Sequence, residues 1–143
     1  MSRFLRAIGV FLFAALGLFY IAFGVFYASV EDLLFFHAAA IPDHAREAVR
    51  PIYFALMKLV GGATIALGLL GLWATFVPLR RGAPYSATAI LIAYAVPLFM
   101  AAVVAEILAK ATGAPTSWRI MGGLMAVNLA AYITKALGGR RSA

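Results

Sequence analysis

Lys58 and Glu106 carry charges inside stretches that are otherwise apolar, and these two side chains are the first candidates for chemistry. Lys58 lies in "YFALMKLVGG", roughly two turns below the start of its predicted helix, or about 10 Å at 1.5 Å per residue. Glu106 lies about one turn from the end of another apolar stretch, at a compatible depth. A charge buried without a partner in a membrane is costly or is lost by a pKa shift. A Lys58–Glu106 ion pair would resolve both problems.

Two alternatives to that pair stay open. The lysine side chain is long enough to bring its ammonium group to the membrane surface, which would leave Lys58 without any role in a site. Glu31, at the end of the first apolar stretch, competes with Glu106 as the partner. A structural salt bridge explains such a cluster as well as a binding site does.

Other polar and aromatic side chains extend the predicted site at the outer half of the molecule. Tyr27 lies one turn before Glu31, and His37 in the following loop would roof the cluster. Asn128 lies inside the last apolar stretch, where an amide either binds a ligand or ties two helices together. The predicted ligand-binding residues are Glu31, Lys58, Glu106, Tyr27, His37 and Asn128.

Metal, haem and nucleophilic catalysis find little support in the residue types. His44 and Glu47 lie three apart, and His37 is close in sequence, so these three are the only candidates for metal ligands. Neither histidine lies inside an apolar stretch, and there is no cysteine. We therefore predict no metal, no cofactor and no catalytic residue.

The composition predicts a membrane protein. Of the 143 residues, 65% are hydrophobic and only 12% are charged, which is too little polar surface for a soluble domain of this size. Four apolar stretches are long enough to cross about 30 Å of hydrocarbon, at residues 7–29, 52–77, 87–109 and 118–137. The net charge is +7, but the basic residues occur in pairs between these spans and form no continuous patch. This pattern indicates membrane topology, and we predict no nucleic-acid partner.

Small and polar residues at helical spacing predict the inward face of each span, because small residues let helices approach and polar residues avoid lipid. Tyr27, Tyr53 and Trp118 are also typical of residues that anchor a helix at the membrane surface. The predicted inward faces are Gly17, Tyr20, Gly24, Tyr27 and Glu31 in the first span; Lys58, Gly61, Thr64, Gly68, Gly71 and Thr75 in the second; Ala95, Phe99, Ala102 and Glu106 in the third; and Trp118, Met121, Met125, Asn128, Tyr132 and Lys135 in the fourth.

The connections and basic residues predict how the spans are arranged. Two short turns, "PLRRGAPYS" and "KATGAPTS", favour antiparallel neighbours, and Ser117 is placed to cap the fourth helix. The first loop is longer and carries a short amphipathic helix, "PDHAREAVR", after Pro42. The predicted fold is all-α, one integral membrane four-helix up-down bundle with that segment in its first extracytoplasmic loop. Seven basic residues against four place both termini in the cytoplasm, and we expect a bacterial inner membrane; the seven are Arg3, Arg6, Arg80, Arg81, Lys135, Arg140 and Arg141.

The whole pattern resembles the small four-helix membrane proteins grouped as DoxX-like. The resemblance is carried by "SRFLR", "FFHAAAIP", "LMKLVGGATIALGLLGL", "PLRRG" and "PTSW". It implies the bundle and an accessory role, since some proteins of this type are associated with quinone-linked redox complexes. It carries no catalytic residues that transfer to this chain.

The expected function is therefore that of a non-enzymatic membrane protein. It would bind a membrane lipid or a quinone-like molecule, or serve as an accessory subunit with a membrane-protein partner, and homo-oligomers are compatible with it. The alternatives are a small proton-coupled transporter and a membrane enzyme that uses Lys58 and Glu106 as acid and base.

Overall fold

In the computed structural model, which describes residues 2–139, every regular element of that range is helical. Four long helices follow one another: α1 (Ser2–Ala28), α3 (Arg46–Ala74), α4 (Ser86–Thr112) and α5 (Trp118–Gly139). Between α1 and α3 lie a single helical turn, α2 (Phe35–Ala38), and a 3-10 turn, Asp43–Ala45. A π-helical turn, Thr75–Leu79, continues α3.

The prediction of four membrane-spanning helices is confirmed at the level of length and composition. The segments Arg3–Ala28, Asp43–Leu79, Ser86–Thr112 and Trp118–Gly138 are each long and apolar enough to cross a membrane. Apolar side chains also cover much of the outside of the bundle, including Leu59, Trp73, Phe99 and Ile120. Four such helices with this surface indicate an integral membrane protein.

The first loop is shorter than the sequence predicted, because "PDHAREAVR" joins the second span. α3 begins at Arg46 and runs through Pro51 without ending, whereas the sequence suggested a separate short helix. Proline removes the hydrogen bond that would go to the carbonyl of Glu47. That carbonyl belongs to an exposed residue in the first turns of the helix, where water can satisfy it, so the helix continues.

Helix α1 packs against both α3 and α5, in the opposite direction to each. Its contacts with α3 depend on glycine, because the two backbones nearly touch: a Cβ built on Gly24 would lie 2.6 Å from the carbonyl oxygen of Gly61. Two turns further along α3, a Cβ built on Gly68 would lie 2.6 Å from the carbonyl oxygen of Gly17. Near the start of α1, Gly9 lies against Lys135 of α5 in the same manner. Close backbone approach through small residues is how helices associate in lipid.

Helix α4 closes the bundle against α5 and reaches α1 through its tyrosine. Tyr94 is fully buried, and its ring lies 5.0 Å from that of Tyr20, centroid to centroid. The hydroxyl of Tyr20 donates a hydrogen bond of 2.6 Å to the carbonyl oxygen of Tyr94. These two residues form the centre of a core that also contains Phe13, Leu16, Leu79, Ile90, Leu98 and Ala131.

The predicted inward faces are largely right for α1 and α3, wrong for most of α4, and right only in part for α5, where Asn128 is buried and Trp118 is exposed. In α1 and α3 the glycines of the predicted stripes are buried, as are Tyr20 and Thr75. In α4 only Ala102 of the predicted face is buried, and Phe99 is exposed. The buried face of α4 is instead Ile90, Tyr94, Leu98 and Ala102. Apolar residues surround α4 on all sides, so periodicity could not distinguish its inward face.

Candidate functional site

The Lys58–Glu106 pair predicted from the sequence is not formed. Glu106 Oε1 lies 3.1 Å from Nζ of Lys110, one turn further along the same helix. That ion pair is accessible to solvent, with the Lys110 side chain 75% exposed and the Glu106 side chain 38% exposed. An i, i+4 pair with the acid first is favourable on a helix surface. Glu106 therefore finds its counter-charge locally.

Lys58 and Glu31 are both exposed, so neither belongs to a buried polar cluster. Lys58 lies three residues before Gly61, which packs against the end of α1 at Ala28. Gly61 is buried in that contact, whereas Lys58 is exposed. Within residues 2–139, Lys58 makes no ion pair. The position fits the alternative in which the long side chain extends toward the membrane surface.

Tyr27 and His37 do come together, around a residue that the sequence suggested was a surface anchor. Tyr53 is buried, and its hydroxyl lies 2.9 Å from Nδ1 of His37 and accepts a hydrogen bond of 3.2 Å from the N–H of Leu34. The ring of Tyr27 meets the His37 ring edge to face, at 6.5 Å between centroids. We call the end of the molecule that carries this aromatic cluster and α2 the capped end.

The surroundings of His37 favour its neutral form. Burial among aromatic rings lowers the pKa of the imidazole below its ordinary value of 6.5, because the charged form is poorly solvated there. The Tyr53 hydroxyl can donate its proton to Nδ1 or accept one from it, depending on the tautomer of the imidazole.

The rest of the capped end holds its loop by salt bridges and one backbone contact. Arg46 pairs with Asp43 at 2.8 Å and donates a hydrogen bond of 3.2 Å to the carbonyl oxygen of Ala38 in α2. Arg50 joins Asp32 at 3.0 Å and Glu47 at 3.4 Å. The carboxylates are well exposed, so each pair contributes little alone.

The candidate metal ligands do not assemble. His44 and Glu47 are exposed, and Glu47 is already paired with Arg50, while His37 faces Tyr53. No group of three or more histidine, aspartate or glutamate side chains converges anywhere in residues 2–139.

Asn128 is buried, but it serves as a link between helices. Its Nδ2 donates a hydrogen bond of 2.9 Å to the carbonyl oxygen of Leu91 in α4. Its Oδ1 and the hydroxyl of Tyr94 have no hydrogen-bond partner among the described residues. Of the two interpretations that the sequence left open for Asn128, this contact corresponds to the helix tie.

A cavity lies at the opposite end of the molecule, and basic side chains surround it. Arg3 and Arg6 of α1, Arg80 after the π-helical turn and Lys135 of α5 line a groove of about 470 Å³. We call this cavity the basic groove, these four residues its rim, and this end of the molecule the basic end. All five acidic residues of the chain lie toward the capped end.

The floor of the basic groove is apolar. Ala7, Val10 and Ala14 form a strip of small or medium side chains along α1, and Phe11 and Phe76 flank it. Phe11 is 69% exposed and Phe76 49% exposed, so both rings are available to lipid or to a ligand. A cationic rim above an apolar floor fits an amphipathic molecule that carries negative charge at one end.

Two local features build the groove. Pro78 cannot donate to the carbonyl of Ala74, and here the chain widens into the π-helical turn, with Phe76 and Arg80 on the groove. Arg6 donates a hydrogen bond of 3.0 Å to the carbonyl oxygen of Gly138, which connects α1 to the last turn of α5. The rim therefore depends on three helices.

Sequence reasoning used Arg3, Arg6 and Arg80 as markers of topology, and it also placed Lys135 on the inward face of the fourth span. The observation that could have identified the groove is that Arg3, Arg6, Arg80 and Lys135 fall at the same end of antiparallel neighbouring spans, with no acidic residue among them. Their common position was predictable; the full apolar lining was not, because Phe76 reaches the groove from the π-helical turn. Arg140 and Arg141, which also entered the topology prediction, lie outside the described residues.

Comparison with known proteins adds no relative: no family model matches the chain, and neither a curated protein nor a solved structure matches it significantly.

Proposed function

We propose that this chain is a non-enzymatic integral membrane protein that binds a lipid-like amphipathic ligand in the basic groove. The observation that carries the proposal is the combination of a cationic rim and an apolar floor in one cavity of about 470 Å³. A cavity of this size accommodates a small ligand or the polar half of a lipid. This site differs from the one expected at the capped end, because Glu31, Lys58 and Glu106 do not form a cluster there.

The proposed setting is a four-helix up-down bundle in a bacterial inner membrane, with both termini in the cytoplasm. The rule that basic residues stay on the cytoplasmic side supports this orientation, since the rim belongs to the more basic end. The loop between α1 and α3 would then cap the opposite side, and Phe35, 72% exposed, would lie in the membrane surface. A DoxX-like relationship is compatible with this setting and stays a prediction.

The orientation has a direct test. A cytoplasmic reporter fused after residue 143 should be active, and a periplasmic reporter at the same position should be silent. The reverse pattern would put the basic groove on the extracytoplasmic side and overturn the setting.

The two alternative functions both depend on Glu106. A transporter would use it as an intramembrane proton carrier, and an enzyme would combine it with Lys58. Glu106 is instead half-exposed beside Lys110, and Lys58 belongs to another helix that turns it outward. A binding function needs neither residue, so the geometry supports it better.

Ligand binding can be tested by native mass spectrometry after gentle extraction from the membrane. A lipid-like adduct should accompany the wild-type protein. Ala7→Phe should reduce it by filling the groove, because Ala7 is exposed and lines the floor. Ala63→Phe is the control, since Ala63 is exposed on α3 away from the groove. Absence of any adduct, or equal loss in both variants, would refute the proposal; a stoichiometric protein partner without a lipid would favour the accessory-subunit alternative.

A further inference from the structure

We infer that the basic groove selects an anionic phospholipid, with its phosphate on the rim and one acyl chain along the floor. This inference rests on the proposed function, which leaves the choice between a charged lipid and a neutral, quinone-like molecule open. It commits to the charged lipid and predicts which side chains recognise it.

The charge of the rim favours an anionic ligand. Arg3, Arg6, Arg80 and Lys135 converge on one cavity, and none of the acidic residues that the structure describes lies at this end. Like charges held together beside a membrane repel one another more strongly than they would in water. An anion in the groove relieves that repulsion, whereas a neutral quinone leaves it unchanged.

The side chains of the rim favour a phosphate group. Three of the four rim residues are arginines, whose planar guanidinium groups match the oxygens of a phosphate and can bind two of them at once. Arg6 is held in place by its bond of 3.0 Å to the carbonyl oxygen of Gly138. Lys135 is half-buried, and its Cβ and backbone N–H pack against Gly9. Part of the rim is therefore positioned before a ligand arrives, which lowers the entropy cost of binding.

The length of the groove favours a lipid over a soluble phosphate. From Arg3 to Ala14 the groove follows α1 for eleven residues, or about 16 Å at 1.5 Å per residue. A free phosphate would contact only the cationic end and leave the apolar strip uncovered. Phe11 and Phe76 line the same groove and are 69% and 49% exposed. An acyl chain beside these rings continues naturally into the surrounding membrane.

Arg80 and Arg81 give the inference a matched pair of variants. Both are exposed and adjacent in sequence, but Arg80 lines the groove and Arg81 does not. Arg80→Gln and Arg81→Gln therefore remove the same charge from the same end of the protein. Because both residues are exposed, neither change should prevent folding, and a thermal unfolding curve of each variant verifies this.

The experiment measures ligand retention by the full chain with native mass spectrometry. Delipidated protein is offered phosphatidylglycerol, phosphatidylcholine or a long-chain quinone at equal concentration. We expect phosphatidylglycerol to bind most tightly. Arg80→Gln should weaken that binding by about tenfold, the value of one charge-assisted hydrogen bond, and Arg81→Gln by less than about twofold. A further sample contains inorganic phosphate in excess, which should not displace the lipid.

Each other outcome refutes the inference in a distinct way. Preferential retention of the quinone, unaffected by Arg80→Gln, would overturn the anionic lipid and preserve the proposed function. Equal weakening by Arg80→Gln and Arg81→Gln would show attraction to the basic surface in general. Displacement by phosphate would identify a soluble anion as the ligand. Retention of none of the three amphipathic molecules would refute the inference and the proposed function together.

Discussion

The hydroxyl of Tyr20 donates a hydrogen bond of 2.6 Å to the backbone carbonyl of Tyr94, and this bond connects α1 to α4 across the centre of the bundle. The two helices have few other contacts, because α1 packs mainly on α3 and α5 while α4 packs on α5. The acceptor belongs to a residue in the middle of α4, three residues before Pro97. The bond thus joins the two hairpins of the chain through a pair of helices that otherwise have little contact.

Replacement of this bond should weaken the bundle. Tyr20→Phe keeps the ring in the core and removes only the hydroxyl, so we expect a loss of about 1 kcal/mol in the free energy of unfolding. Unfolding in mixed detergent micelles measures it. Tyr132→Phe is the control, because the Tyr132 hydroxyl makes no hydrogen bond within the described residues. Equal effects of the two substitutions would show that the Tyr20 bond contributes nothing specific.

Two adjacent glycines of α3 should respond in opposite ways to alanine. A Cβ at Gly61 would lie 2.6 Å from the carbonyl oxygen of Gly24 and from the backbone nitrogen of Ala28, whereas a Cβ at Gly62 would meet nothing within 4 Å. Gly61→Ala must therefore separate α1 from α3 and should cost about 2 kcal/mol. Gly62→Ala should be neutral or slightly stabilising, since alanine favours helices. The same unfolding measurement distinguishes them, and similar values for both would contradict the close packing of α1 on α3.

The success of the glycine stripes and the failure in α4 have one physical explanation. Glycines at three- and four-residue spacing indicate a close backbone contact, whichever helix is the partner, so the faces of α1 and α3 were predictable. In α4 the buried position belongs to Tyr94, which fills space beside Gly17 and Gly71. That fit depends on the partner helices and is absent from the α4 sequence itself. A tyrosine in the middle of an apolar span was nevertheless a usable indication, because its hydroxyl disfavours lipid.

The features of the candidate site also divide into those that the sequence could predict and those that depend on how the helices pack. The clustering of Tyr27 and His37 at the end of α1 was predictable, because a short loop keeps them close. The burial of Tyr53 depended on α3 starting early and bringing Tyr53 under α2. The Lys58–Glu106 pair failed because depth along a helix does not fix rotation about its axis: a similar depth left Lys58 facing outward, while Lys110 was available to Glu106 one turn away.

His37 should make the stability of the protein depend on pH. Burial lowers its pKa below 6.5 in the folded state, so the unfolded chain binds a proton more readily. Stability should therefore decrease as the pH falls below about 6.5, and the decrease should end once the pH is below the lowered folded pKa. Tyr27 and Tyr53 face the imidazole, and the nearby carboxylates of Asp32, Asp43 and Glu47 are exposed and paired with arginines.

Thermal unfolding between pH 5 and 8 tests the assignment. His37→Gln should remove most of the decrease, since glutamine does not titrate. His44→Gln should retain it, because His44 is exposed on the 3-10 turn. A decrease that persists in His37→Gln would assign the effect to other groups.

The last prediction concerns Lys58 and Glu106, for which the structure reverses the expectation drawn from the sequence. Lys58 is exposed and unpaired within the described residues, so Lys58→Met should change the free energy of unfolding by less than about 0.5 kcal/mol. Glu106→Gln should lose only a weak surface ion pair with Lys110, also about 0.5 kcal/mol or less. The double variant Lys58→Met/Glu106→Gln should equal the sum of the single variants, because separated side chains with no shared partner act independently.

A second cycle, on Glu106 and Lys110, provides the comparison. Lys110→Met and Glu106→Gln should show a small coupling, since their charged groups lie 3.1 Å apart. If Lys58 and Glu106 were instead coupled by 1 kcal/mol or more, about twice the effect of a surface pair, the two side chains would meet in the membrane-embedded protein. Lys58 would then belong to the interior of the bundle, and the acid–base pair expected from the sequence would return as the leading candidate site.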